Sequence, residues 1–405
     1  MKAEKILLLG GSAQQVTAIR EARNMGYETV LCDYLPDNPG QFAADHYYNI
    51  STTDRDAVLD IARKEQIDGI LAYASDPAAP TAAWVAEQMH LPGNPFHSVE
   101  TLCSKHLFRQ FLKSHGFSCP ESSSYQDLDD ALKDASDFPY PVLVKPSDSS
   151  GSKGVTLLKS SEGLQSAAET AFSYSRAHEI IIEEYVSKST PYLIGGDLFV
   201  VNGKVALWGL MNCYRDERIN PLVPMGKSYP PFLSDGQLRL VKDTLSRMVS
   251  ELQIQNGAMN VELILDQKDR VFVLDAGPRN GGNMIPELMG MIFDQDIVRM
   301  TIEAAMGKSV SVKETAGHPF YATHNLHSAR RGKYLGIRFS EELNPYLIRK
   351  ELWKKPGDQV VPFLNSAGAL GIIFLKFPDR DTMEYYLRRM TDFYTVILDE
   401  DTSHE

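Results

Sequence analysis

Short apolar runs broken by glycine-marked turns dominate the first hundred positions. Residues 5–9 (KILLL) end on Gly10-Gly11-Ser12, and Val16, Ile19 and Ala22 then recur at helical spacing before Gly26. A second apolar run, 29–32, closes on Asp33. Strand, glycine turn, helix, strand is a βαβ unit, which predicts a parallel sheet. The alternation continues with a helix over 54–65, a strand over 67–73 and a helix over 80–90. One amphipathic helix over 98–115 carries Lys105 and ends at Gly116 and Pro120. Beyond it the strands shorten and glycine loops multiply. Strands are expected over 141–145, 154–158, 180–184, 197–201, 204–210, 259–265 and 271–275, and helices over 161–176, 235–252 and 294–306. Four prolines and charges of both signs in 213–233 predict an ordered but irregular loop. From about 312 short strand-like runs return, among them 369–376, with a helix near 381–391 and an acidic tail from 399 expected to fray.

Composition narrows this picture. A chain of 405 residues is expected to form about two to four domains and to bury a full core without disulfides or a structural metal. With 43% apolar and 23% charged residues it is neither collagen, coiled coil nor disordered. Lys and Arg number 41 against 53 Asp and Glu, a net charge of −12, which disfavours nucleic-acid binding but leaves room for a small basic phosphate pocket. No apolar run reaches 18 residues, and Ile6 to Leu9 is too short for a signal-peptide core, so no membrane association and a cytoplasmic location are expected. Cys32, Cys103, Cys119 and Cys213 form no C-x-x-C pair and read as reduced, small apolar residues.

Candidate chemistry concentrates in the middle of the chain. Residues 142–155 read VLVKPSDSSGSKGV. A strand delivers Lys145, and small residues through Gly151 and Gly154 let backbone N–H groups approach an anion. This is no Walker A loop, and an ordinary hairpin turn is the rival reading. Residues 180–186 (IIIEEYV) run into acids against which an adenine could lie, or form a plain edge strand. The strands 259–265 and 271–275 could bring Glu262 and Asp275 face to face, a hard-oxygen pair suited to Mg²⁺, or leave two surface acids. Arg279 follows beside Gly281-Gly282, where it could bind a carboxylate or phosphoryl group. At the N-terminus, Gly10-Gly11 with Asp33 is half of a dinucleotide fingerprint. The later glycines are missing, so a tight βα turn is preferred to NAD binding. His324, His327, Arg330 and Arg331 read as an exposed basic loop, a substrate contact or a two-histidine metal site. Tyr214 to Arg218 read as a solvated charge run or a substrate cover.

The order of these parts resembles the ATP-grasp superfamily along nearly the whole chain, in DGILAY, LPG, the Lys105 helix, VLVKPSDSSGSKGV, IIEEYV and NVELIL…VFVLDAGPRNGG. The resemblance implies an α/β and α+β protein: a Rossmann-like pre-ATP-grasp domain at 1–115, an ATP-grasp domain at 116–311 with its nucleotide subdomain at about 120–186, and a C-terminal α+β domain at 312–405. By the same resemblance, Lys105 and Lys145 would contact the ATP phosphates and the backbone of Ser149, Ser150, Gly151, Ser152 and Gly154 would cover them. Glu183, Glu184 and Val186 would border the adenine, Glu262 and Asp275 would hold Mg²⁺ (or Mn²⁺), and Arg279 with Lys145 would serve the transfer. The implied enzyme is an ADP-forming carbon–nitrogen ligase, similar to L-amino-acid ligases, that activates a small carboxylic acid as an acyl phosphate and joins it to an amine. Such ligases are often homodimers. A bicarbonate-using enzyme of the biotin carboxylase or carbamoyl-phosphate synthetase kind, and a catalytically weakened ATP-binding module, are the alternatives. Two departures from the family pattern stand out. Asp275 replaces the usual Glu, and Gly277 stands where Asn is usual, with Asn280 or Asn283 as candidate substitutes. Ser189 to Tyr192 replaces a ribose-binding acid, a role open to Asp197.

Overall fold

A computed structural model describes residues 3–149, 152–216, 220–365 and 368–399. The chain opens with four strands, β1 (Lys5–Leu9), β2 (Glu28–Cys32), β3 (His46–Tyr48) and β4 (Gly69–Leu71), all parallel in the order β3-β2-β1-β4. Helices α1 (Val16–Asn24), α2 (Arg55–Glu65) and α3 (Ala79–Gln88) cover it. Alternate residues of β1 enter different layers: Ile6 and Leu8 pack with Val16, Ile19 and Ala22, while Leu7 and Leu9 pack with Val58, Ala62 and Val85. Burial on both faces explains why KILLL shows no polar alternation. The reversal of strand order lies between β1 and β4, so the crevice at their C-terminal ends is this sheet's natural binding edge. The glycine turn and Asp33 are tied to each other and to the following loop. Gly11 N donates to Asp33 Oδ2 at 2.7 Å, and Gly40 N donates to Gly11 O at 2.8 Å.

The helix predicted over 98–115 is two helices, α4 (Phe96–Cys103) and α5 (Lys105–Ser114). Ser104 between them is extended, and its side chain accepts from Leu107 N, capping α5. The break places Lys105 at the first turn of α5. Its backbone N–H donates to Ser147 O at 2.9 Å, across to the phosphate-loop segment.

Next comes an antiparallel sheet of β5 (Ser122–Tyr125), β6 (Val142–Pro146), β7 (Thr156–Leu158) and β8 (Ile180–Glu184), ordered β5-β8-β6-β7. Helices α6 (Leu128–Lys133) and α7 (Leu164–Tyr174) bury its other face through Ala131, Ala167, Ala168 and Ala171. The remaining strands are β9 (Leu193–Val201), β10 (Lys204–Asp216), β11 (Asn220–Tyr229), β12 (Gly257–Leu265), β13 (Val271–Gly277), β14 (Tyr321–Leu326), β15 (Gly332–Phe339), β16 (Leu347–Leu352), β17 (Gln359–Val360), β18 (Gly371–Lys376) and β19 (Tyr394–Asp399). Eight of them form one sheet, β13-β12-β9-β10-β11-β14-β18-β16, which runs from the central segment into the C-terminal one. β17-β15-β19 form a small third layer. Helices α8 (Asp235–Glu251), α9 (Ile285–Phe293) and α10 (Ile297–Ala305) pack on the long sheet, and α11 (Arg380–Arg388) packs in the C-terminal core.

The segment 213–233 corrects the loop expectation. β10 continues to Asp216 and pairs with β11 in register Cys213↔Lys227, Tyr214↔Gly226 and Arg215↔Pro224. The register shifts on both sides of Arg215, so Pro224 sits at a bulge where its missing N–H breaks no regular ladder bond. The histidines also differ from expectation. His324 and His327 are buried, and His327 stacks on Phe363 at 4.6 Å, while Arg330 and Arg331 are exposed. Burial pushes the His324 pKa down, so it packs as a neutral ring. The four cysteines are free thiols. Among the described residues no helix is long and apolar enough to cross a membrane.

Candidate active site

A cavity of about 170 Å³ lies between the β5–β8 sheet and the long sheet. It gathers residues from both motifs: Lys105, Lys145, Ser149, Ser152, Glu183, Val186, Glu262 and Asp275 all line it. Ser150 and Gly151 lie outside the described residues. Gly154, φ +71°, is needed where it stands, because a Cβ there would come within 2.9 Å of the Tyr174 ring and 3.0 Å of Pro146. Ser152 Oγ donates to Leu222 O at 2.7 Å, tying the loop to β11.

The floor of the cavity is a buried charge cluster. Strand pairing sets Lys145 on β6 close to Glu183 on β8, with register Leu143↔Glu183 and Lys145↔Ile181. Lys145 Nζ donates to Glu183 Oε1, and Arg109 Nε donates to Glu183 Oε2 at 2.9 Å. Arg109 Nη2 donates to Leu274 O at 2.6 Å, joining this floor to β13. Burial alone would raise the Glu183 carboxyl, but Arg109 and Lys145 outweigh it and hold it at about 2. Burial lowers the Lys145 ammonium to about 8; Glu183 opposes that shift, while Arg109 and Lys105 add to it. One carboxylate shared by two cations leaves a surplus positive charge, to which Lys105 adds a third. Lys105 Nζ donates to Ser149 O at 2.7 Å, at the mouth of the loop. A polyanion is the ligand that such a surplus favours.

The predicted adenine hinge is arranged differently at each residue. Both oxygens of Glu183 are engaged by the cations below it. Glu184 N donates to Glu121 O at 2.8 Å and Tyr185 N to Pro141 O at 2.9 Å, so these amides are occupied, while Val186 borders the cavity. Asp197 is fully buried and far in role from a ribose: its carboxylate accepts from Gly281 N at 2.8 and 2.9 Å and from Asn260 Nδ2 at 2.8 Å.

The hairpin β12–β13 does bring its acids together, with Glu262 and Asp275 as register partners. The two carboxylates are unlike. Asp275 is exposed, and its only hydrogen bond among the described residues is from Ala276 N at 3.1 Å. Glu262 accepts from Arg215 Nη2 at 2.9 Å and has Lys227 Nζ at 3.9 Å. Lys227 is itself buried, with Nζ 2.8 Å from Cys213 Sγ. Two hard carboxylates at the mouth of a cationic pocket fit a Mg²⁺ ion whose remaining ligands are phosphate and water. Neither candidate substitute for an Asn at 277 lines the cavity. Asn280 is buried with Nδ2 on Thr301 Oγ1 at 3.1 Å, and Asn283 N donates to Gln14 Oε1 at 2.7 Å. A side chain at position 277 would have to displace the ends of two neighbouring side chains. A Cβ there would stand 2.5 Å from Asp76 Oδ1 and 3.1 Å from Arg279 Cζ.

Arg279 faces Asp76, from the loop after β4. Nε donates to Asp76 Oδ1 at 2.7 Å, Nη2 donates to Oδ2, and Nη1 donates to Asn280 O at 3.0 Å. Burial would lower the Arg279 pKa, but Asp76 more than offsets it and raises it. The residues missed in the sequence are Arg109, Asp76, Arg215 as a partner of Glu262, and Lys227. Arg109 follows Lys105 by one helical step of four, which was a readable signal. Asp76 lies at the strand-end crevice of a parallel sheet, a position signal rather than a motif. Lys227 depended on recognising β11. Elsewhere, Glu28, His46 and Glu65 cluster closely enough to hold a metal, but Lys5 Nζ lies 2.9 Å from both Glu28 and Glu65 and already occupies the place between them.

Residues 104–312, over half of the chain, match the family model described as carbamoyl-phosphate synthase L chain, ATP binding domain. The carbamoyl phosphate synthase large chain of Thermotoga petrophila is 24% identical over 293 residues, covering 68% of this chain and 26% of that one. The chain thus spans about a quarter of the length of these curated relatives. The crystal structure of L-amino acid ligase from Bacillus licheniformis superimposes with a TM-score of 0.82 at 20% identity, covering 99% of this chain and 100% of that one. The biotin carboxylase domain dimer of the Hydrogenobacter thermophilus 2-oxoglutarate carboxylase, solved with MgADP, ADP and bicarbonate, does so at 0.74 and 17% identity, covering 99% and 92%. The fold is therefore the ATP-grasp fold.

Proposed function

Because the chain belongs to the carbamoyl-phosphate synthase L chain ATP-binding family, we propose that it is an ADP-forming ligase that couples a small carboxylic acid, an amino acid first, to an amine. The observation that carries this reading is the surplus-cation floor of Lys145, Arg109 and Glu183 facing the Glu262–Asp275 hairpin across one cavity. In this reading Lys145 and Lys105 hold the ATP phosphates, the 149–154 backbone covers them, and Val186 borders the base. Glu262 and Asp275 would hold Mg²⁺, which supplies charge neutralisation when bound. A substrate carboxylate oxygen attacks the γ-phosphorus, the bond to the β-phosphate oxygen breaks, and ADP leaves. The amine then attacks the acyl carbon and phosphate leaves with the carbon–oxygen electron pair. The chain's part in both steps is positioning and fixed charge, with Arg279 to bind the transferring group or the acid in place of Asp76. The division at 115/116 and 311/312, a homodimer and a cytoplasmic location belong to the same proposal.

The test is ADP release from Mg²⁺-ATP across a grid of twenty amino acids, other small acids, bicarbonate and amines, with Lys145→Ala as the blank. Release that depends on one acid and one amine supports the ligase. Bicarbonate-dependent release without an organic acid would replace it with a carboxylase. The cations on Glu262 and the crowded position 277 favour a second reading, an ATP-binding module with weakened transfer. Tight nucleotide binding with no release under any pair would select it.

A further inference from the structure

The contact between Asp76 and Arg279 joins the N-terminal sheet to the loop that follows the metal hairpin. Everything behind Arg279 is fixed. Asp197 holds Gly281 N, and Asn260 N donates to Arg279 O at 3.1 Å, so the loop backbone is pinned to β9 and β12. The guanidinium's fork edge, Nε with Nη2, is fully used by the Asp76 carboxylate. That edge is the geometry arginine uses for any carboxylate or phosphoryl group. Asp76, together with Lys105, Ser149 and Asp275, also lines a cavity of about 200 Å³, and the last three of these line the 170 Å³ cavity as well. Arg279 lines neither. The carboxylate of Asp76 thus covers the fork edge of Arg279 where it would meet these two cavities, while Arg279 also borders a separate cavity of about 550 Å³. Position 277 is built for this. A Cβ there would stand 2.5 Å from Asp76 Oδ1, so a side chain at 277 would displace the carboxylate, whereas glycine leaves it room to reach Arg279.

We propose that Asp76 is an internal competitor for Arg279: its carboxylate occupies the place that the phosphoryl group or the acid substrate must take, and it thereby sets how strongly an anion must bind to engage Arg279. The inference rests on the ligase reading for what the anion is, but not for the competition itself. Removing the competitor strengthens anion binding, whereas a residue that merely positions Arg279 would weaken it when removed.

The probe is inorganic phosphate, titrated calorimetrically into the full chain with and without saturating MgADP. Asp76→Asn keeps the shape but removes the charge, and the expected result is phosphate binding about tenfold tighter, the size of one charged hydrogen-bonded contact released. Gly277→Ala, whose Cβ would crowd Asp76 Oδ1 at 2.5 Å more than the Arg279 guanidinium at 3.1 Å, is expected to shift affinity in the same direction. Adding it to Asp76→Asn gives no further gain, and adding Arg279→Lys to either abolishes the gain. Thermal melting identifies a variant that has not folded, and the other then decides the test. Unchanged or weaker phosphate binding in the folded variants overturns the proposal. Failure of wild type to bind MgADP overturns the ligase reading instead, and the phosphate titration without nucleotide still decides for or against the competition.

Discussion

The two ends of the candidate active site are built on opposite principles. At the floor, Lys145, Glu183 and Arg109 are buried together and hold one another in place before any ligand arrives, with one positive charge in surplus. At the mouth, Asp275 is exposed, Glu262 leans on Arg215, and Arg279 holds a carboxylate borrowed from another sheet. The floor resembles a finished receptor for a polyanion. The mouth is a set of groups in provisional partnerships that ligands would have to exchange. In the proposed ligase, nucleotide anchoring and group transfer would therefore depend on different kinds of residue, and single substitutions would separate them.

The largest effect is expected at the floor, on stability. Arg109→Met leaves a buried carboxylate with one cation instead of two, and breaking such a buried pair costs about 3–5 kcal/mol. A chemical denaturation midpoint that does not move would show that the cluster is not structurally coupled. Lys145→Ala keeps the Arg109–Glu183 pair, so the fold is expected to persist while ATP turnover falls about 100-fold or more, the range for losing one preorganised charged donor. Undiminished turnover would break the contrast at its strongest point. At the mouth, Glu262→Gln is expected to raise the Mg²⁺ concentration for half-maximal turnover about tenfold or more, with nucleotide affinity in the absence of metal unchanged. A Mg²⁺ titration identical to wild type would make the hairpin acids structural.

Acidity offers a finer test of the floor. The Lys145 ammonium in the free chain titrates near 8, below the ordinary lysine value. Bound phosphates favour its charged form, so binding takes up a proton above that pH and affinity for ADP falls as pH rises through about 8, by up to about tenfold per unit. Lys145→Arg, always charged, is expected to flatten the slope. The same shift acts on stability. The unfolded chain holds this proton up to a higher pH than the folded one, so folding is penalised below about 8, and the penalty is relieved as pH rises from there towards the ordinary lysine value.

What could be read from the sequence follows the same division. Lys145 at a strand end, the small-residue loop after it and two acids on facing strands are local patterns, and the structure brings all of them to one cavity. Arg109 was harder to read, because its partner Glu183 lies 74 positions away and only the fold joins them. Asp76 and Arg279 are 203 positions apart, and no spacing rule links them. Gly277 looked like a lost ligand in the sequence; in three dimensions it lies against the Asp76–Arg279 pair, where a Cβ would come within 2.5 Å of Asp76 Oδ1. The β10–β11 pair was hidden for a local reason. Its prolines read as breakers, whereas Pro224 occupies a bulge that tolerates it. Lys227, on that strand, was missed with it.

The most direct test of the division between floor and mouth is calorimetric binding of ADP with and without Mg²⁺ to wild type, Glu262→Gln and Lys145→Ala. The account predicts that wild type binds ADP without metal, that Glu262→Gln matches it there, and that Lys145→Ala loses binding in both conditions. Binding that vanishes without Mg²⁺, or survives Lys145→Ala, would contradict it.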